Sequence, residues 1–196
     1  MSDLILKDGT GSGYRVKVTS DNSLQVDATT RSNAQYRSSQ GVGFAVALQI
    51  QSVTGGTEYA ALRFKNTDTT RNWRVNNVFL SYNGGDTNHN RMCEGRFYVG
   101  MTAPSANATV VTPGNLNLSS SGVAQADAHV WDGVGSGMTV VSNGVLAYTG
   151  LFGPGFNQIS FDGATVLGLN DILGLTVKPE ETGKIALIMT GWFEEA

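Results

Sequence analysis

The chain has 196 residues, a single cysteine (Cys93) and a formal net charge of −3. One cysteine excludes an intramolecular disulfide framework and any zinc site built from several thiolates. Charged residues make up only 15% and form no basic stripe, which argues against a nucleic-acid partner. No run approaches the roughly 18 apolar residues of a membrane span, so no membrane partner is expected.

In chain order, apolar residues alternate with polar ones from the start. "LILK", "YRVKV" and "SLQV" within residues 4–27 read as a small β-meander. Tyr14, Val16 and Val18 fall on one face, Arg15 and Lys17 on the other. "TSDN" between them is a turn signal, since Asp and Asn tolerate bent backbone. The opening "MSDLILKDGT" shows neither a long apolar stretch nor a cleavage site, so it does not read as a secretory signal and synthesis in a cytosol is expected.

Residues 27–43, "DATTRSNAQYRSSQGVG", are polar and without periodicity and read as a linker or extended arm. This places a boundary near residue 40, with an arm and linker over 1–40 and a body over 41–196.

From Phe44 strand signals recur. "FAVALQIQSV" alternates Val46, Leu48 and Ile50 inward against Ala47, Gln49 and Gln51. "YAALRFKN", "WRVNNVFLSY", "GRFYVGM", "AQADAHVW", "MTVVS", "GVLAYTG", "NQISFDG", "TVLGL", "ILGLTVKP" and "KIALIMTGWFEE" follow, divided by Gly, Asn and Asp turns. Short strands at this spacing predict an all-β fold, an antiparallel β-sandwich that is jelly-roll-like, with a small β-rich N-terminal arm. The last strand, Ile185 to Phe193, is the most apolar and is expected at the centre of its sheet. No amphipathic helix is expected.

Two near-identical loops stand out, "DGTGSGY" from Asp8 and "DGVGSGM" from Asp132. Neither carries the lysine of a phosphate loop, and each leads into a strand signal, not a helix. Each offers one carboxylate, a hydroxyl and backbone carbonyls, a weak match to a calcium site of six to eight oxygens. Both read as turns in which glycine supplies positive φ. His89 near Cys93 and Asp86, and His129 in a strand, make no metal-ligand pattern. No Gly-x-Ser-x-Gly elbow is present. Glu58, Glu94, Asp127, Asp132 and Asp162 are candidates for a glycosidase carboxylate pair, but nothing in the sequence pairs them. No catalytic residue, cofactor or metal ligand is therefore assigned.

Three stretches carry a resemblance. "LKDGTGSGYRVKVTSDNSLQV" is similar to the N-terminal element of many tailed-bacteriophage virion proteins, with its Asp-Gly-Thr-Gly turn, Tyr-x-x-Lys-Val strand and Asp/Asn turn. "LRFKNTDTTRNWRVNNVFLS" resembles their Lys-Asn strand and the strand after it. "ILGLTVKPEETGKIALIMTGWFEE" resembles their closing pair. Residues 84–135 are unmatched.

The resemblance implies a non-enzymatic virion component, a capsid decoration, cement or head-fibre protein, often a trimer. It would lie on the capsid surface after synthesis in the host cytoplasm. Its partners would be the major capsid protein or another virion protein, and further copies of itself as a homo-oligomer. The expected partner-binding residues lie in the arm: Tyr14, Arg15, Val16, Lys17, Leu24 and Val26. An arm of this kind can add strands to a neighbour's sheet. The alternative is a receptor- or carbohydrate-binding module of a phage tail or fibre, with contacts in "NGGDTNHN" and "WDGVGSG" and with His89 and Trp131 as candidates.

Overall fold

A computed structural model describes residues 5–6, 14–15, 33–84 and 91–196. The chain divides into two units, Met1–Ser32 and Asn33–Ala196. In the first, β1 (Ile5–Leu6) pairs antiparallel with β2 (Tyr14–Arg15), Ile5 opposite Arg15 and Leu6 opposite Tyr14.

The second unit opens with a helix where the polar composition suggested only linker. α1 (Asn33–Ser39) has no apolar stripe, and its C-terminus holds it. Gly41 takes φ 73°. Its N–H reaches the Ser38 carbonyl and the Val42 N–H reaches that of Arg37, which caps two of the last free carbonyls. Arg37 also pairs with Glu194.

The remaining elements are β3 (Gly43–Val53), β4 (Tyr59–Asn66), β5 (Arg71–Gly84), β6 (Cys93–Val99), β7 (Ala108–Val111), β8 (Gly114–Asn115), β9 (Ala126–Trp131), β10 (Val145–Phe152), β11 (Gly155–Leu167), β12 (Ile172–Pro179) and β13 (Gly183–Glu195). They form two antiparallel sheets, ordered β10-β6-β12-β4-β9-β7 and β11-β5-β13-β3-β8. The sheets pack face to face as an all-β sandwich. The chain changes sheet at every connection except β6–β7 and β9–β10. β13 lies at the centre of its sheet, between β5 and β3.

The core is the shared inner face. One end is aromatic: Trp73 meets Phe44, Phe64 and Phe193 at ring-centroid distances of 6.5, 4.6 and 5.1 Å. Phe64 comes from the six-stranded sheet and the other three from the five-stranded one, so this cluster joins the layers. Near β10 and β11 a second group, Phe97, Tyr148 and Phe161, does the same. Each fully buried side chain of this size contributes about 1.5–3 kcal/mol.

Strict alternation fails at defined points. Ile185 faces Gln51 while Leu187 faces Leu48, so Gln49 and Ile50 together oppose Ala186. This β-bulge turns Ile50 out to solvent, against the inward placement expected from the sequence. Ala61 is likewise the extra residue on β4, which keeps Tyr59, Leu62 and Phe64 facing the core. "MTVVS" forms no strand; Thr139 makes only an isolated bridge to Ala106.

The turn from β4 to β5 is closed by a buried polar knot. Asp68, 5% exposed, accepts from the N–H groups of Thr70 and Arg71, from the Thr70 hydroxyl and from the Arg71 guanidinium. Asn66 donates to the carbonyls of Arg71 and Leu167. Burial pushes the Asp68 carboxyl up, but its backbone and side-chain donors outweigh that and hold it below its ordinary value.

Two predictions follow from packing and charge. A Cβ on Gly191 would lie 2.3 Å from the Arg74 carbonyl oxygen and 2.6 Å from the Trp73 ring, whereas one on Gly153 would meet nothing within 4 Å. Gly191→Ala should therefore cost about 3 kcal/mol and Gly153→Ala less than about 0.5 kcal/mol, read from urea unfolding midpoints. A depressed carboxyl contributes stability that is full above its unfolded pKa, near 3.9, and is lost as pH falls through the folded value. Asp68→Asn should cost about 2–4 kcal/mol at neutral pH and flatten the loss of stability as pH falls below about 4, measured by denaturation at a series of acid pH values.

Candidate functional site

Of the residues expected to bind a partner, Tyr14 and Arg15 form β2 and stand opposite β1. Val16, Lys17, Leu24 and Val26 lie outside the described residues, as do the Asp8 loop and His89.

The second glycine loop is described, and it is a turn. Gly133, Gly135 and Gly137 take φ of 88°, 64° and 96°. Asp132 Oδ1 accepts the Val134 N–H at 2.8 Å, and the Val134 carbonyl accepts the Trp131 indole N–H at 2.7 Å. The Met138 N–H then donates to the Ala60 carbonyl. Trp131 is 1% exposed and packs on the Tyr59 ring at 4.9 Å. Its ring is therefore not a platform for a sugar, which corrects its candidacy in a carbohydrate site.

The carboxylates have separate fates. Asp127 pairs with the buried Arg63 at 2.8 Å and lies 3.4 Å from His129 Nδ1. Asp162 sits at φ 47° and accepts from the Ser160 hydroxyl. Glu58 and Glu94 do converge, a pairing the sequence does not reveal. Both bind Arg96, at 2.7 Å each, from its two terminal nitrogens. Glu58 also accepts from the hydroxyls of Thr176 at 2.5 Å and Tyr98 at 3.1 Å.

The hydrogen bonds from Arg96, against a smaller opposing effect of burial, hold the Glu94 carboxyl below its usual range, with further help from Lys178. Glu94 raises Arg96 in return. A glycosidase pair needs one carboxyl protonated near neutrality and open space between the two. Here an arginine fills that space and holds Glu94 ionised. The cluster ties β6 to the start of β4 across β12. Cys93, beneath it, is fully buried, and burial pushes its thiol up to about 12, far from a nucleophilic thiolate. Among the described residues, no group of three His, Cys, Asp or Glu side chains is placed to share a metal ion.

A shallow groove of about 410 Å³ borders the cluster, lined by Met92, Glu94, Leu151, Lys178 and Pro179 among others. Its Leu151 belongs to a row of exposed apolar side chains along β10. β10, "VLAYTGLF", is an edge strand without a single charge. Val145 is 75% and Leu151 70% exposed, with Leu146 and Tyr148 about half exposed. Phe156 on the neighbouring β11 is also exposed and stacks on Phe79 at 5.3 Å. An exposed, uncharged edge strand is a template for another chain. This surface, more than any polar cluster, is the candidate functional site.

No protein-family model matches the sequence, and no match was found among curated proteins.

Replacing Arg96 by alanine leaves Glu58 and Glu94 without their shared cation. Arg96→Ala should cost about 1 kcal/mol in urea unfolding and return the Glu94 titration, followed by carboxyl-carbon NMR, toward its ordinary range near 4.3. An unchanged Glu94 titration would show that Arg96 does not set it.

Proposed function

We propose that the protein is a non-enzymatic bacteriophage virion structural protein that decorates or cements the capsid surface. Its N-terminal arm contacts the major capsid protein or another virion protein, and its sandwich makes contacts with further copies of the chain. Made in the host cytoplasm, it acts at the surface of the particle.

The observation that carries this reading is the edge at β10, open among the described residues, with Val145, Leu146, Tyr148 and Leu151 exposed and no charge to discourage pairing. A protein that worked alone would have its sheet edges blunted by charge or proline or kept very short; one that works in an assembly has a use for an unblunted one. The similarity of three stretches to phage virion proteins supplies the kind of assembly. Glu58 and Glu94 support a structural role, since each is bound to Arg96.

The arm's role is tested by deleting residues 1–27 and sedimenting the protein with capsids. Affinity should fall by more than about tenfold, the equivalent of 1.4 kcal/mol. Unchanged affinity overturns the arm's part in attachment.

A further inference from the structure

Among the described residues four strands border the two sheets, and three of them are blunted. β7 has four residues and β8 two. β11 is broken, because Ser160 pairs with Asn77 and the next paired residue is Thr165, opposite Val75. The intervening Phe161–Ala164 leave the ladder, with Asp162 at φ 47°. Short length, a bulge and a charge are the devices that keep an edge from pairing. β10 has eight residues, no charge and no proline; its one bulge, at Ala147, lies near its start, and the five residues from Tyr148 to Phe152 keep a regular register with β6. Over that run its outer row of N–H and C=O groups can accept a strand.

We propose that this row pairs antiparallel with β10 of a second copy across a two-fold axis, joining two six-stranded sheets into one. Charge favours the second copy as occupant. In a two-fold antiparallel pair each residue faces one from the same strand, so any charge on it meets its like nearby. β10 carries none. On β6, Glu94 lies opposite Leu151 and Arg96 opposite Thr149, and these two charges are bound to each other.

The pairing also satisfies both open edges at once and closes the assembly. A threefold ring would require β10 to meet a different edge, and the far edge of the same sheet, β7, offers half the length. Leu146 and Leu151, which share the outer face with Tyr98 and Glu94, would continue the apolar strip from one copy into the next.

This inference rests on the assembly reading of the edge and names its partner. It is tested on the full chain by analytical ultracentrifugation over a wide concentration range, with hydrogen exchange on residues 145–152. The expected result is a dimer whose β10 amides are protected and lose protection on dilution. L146K/L151K, both at exposed positions, should sediment as a monomer with an unchanged circular dichroism spectrum, while V110K on β7 leaves the dimer intact.

A monomer, a trimer, a dimer that survives L146K/L151K, or β10 protection independent of concentration overturns the pairing. Should the double variant not fold, the exchange of the wild-type chain on dilution decides alone. Capsid sedimentation is scored separately. A dimer that ignores capsids keeps the pairing and removes the capsid role, and a monomer bound to capsids does the reverse.

Discussion

The sandwich depends on one close approach: the Trp73 ring lies against the backbone of Gly191, where no side chain could stand. β13 is the middle strand of its sheet, and Trp73 reaches over it from β5 to meet Phe64 of the opposite layer. Phe44 and Phe193 close the same cluster from either side. A tryptophan at this point spans the gap between layers, and glycine is what lets it lie low enough. The β-bulge at Asn76, opposite the step from Thr190 to Gly191, sets the two strands in the offset this packing uses.

Bulges also explain how far the sequence could be read. Hydrophobic alternation located β3 to β6 and β9 to β13 because each keeps a run of apolar residues on one face. It could not follow the change of parity inside a strand. Ile50 belongs to an alternating run and points to solvent because two residues of β3 share one partner on β13. "NQISFDG" and "TVLGL" look like two strands and are one, β11, interrupted where four residues leave the ladder. α1 was invisible to periodicity because its seven residues carry no apolar stripe, though Gly41 stood where a helix cap would. "MTVVS" has strand composition, but its backbone is spent on Ala60 and Ala106, outside the two sheets.

The candidate surface was legible only in part. That "GVLAYTG" is a strand follows from its residues. That it is an edge does not, since its single neighbour, β6, lies some fifty positions earlier and strand order is a property of the whole chain. The convergence of Glu58, Glu94 and Arg96 is hidden for the same reason. Glu94 and Arg96 stand two apart and share a face, which alternation predicts, but Glu58 arrives from the start of β4. Trp131, by contrast, looked like a surface aromatic because a glycine-rich loop follows it. That loop folds back, and its Val134 carbonyl takes the indole N–H.

The central position of β13 sets an order in time. Residues 183–195 leave the ribosome after every strand they join, so β3 and β5 wait with facing edges unfilled until then. The same holds for β12, which comes between β4 and β6 of the other sheet. Neither layer can close during synthesis of the earlier strands. Long-range pairings of this kind make folding slow and cooperative, and a chain cut short before β12 would expose four strand edges on the sides meant for the centre of each sheet.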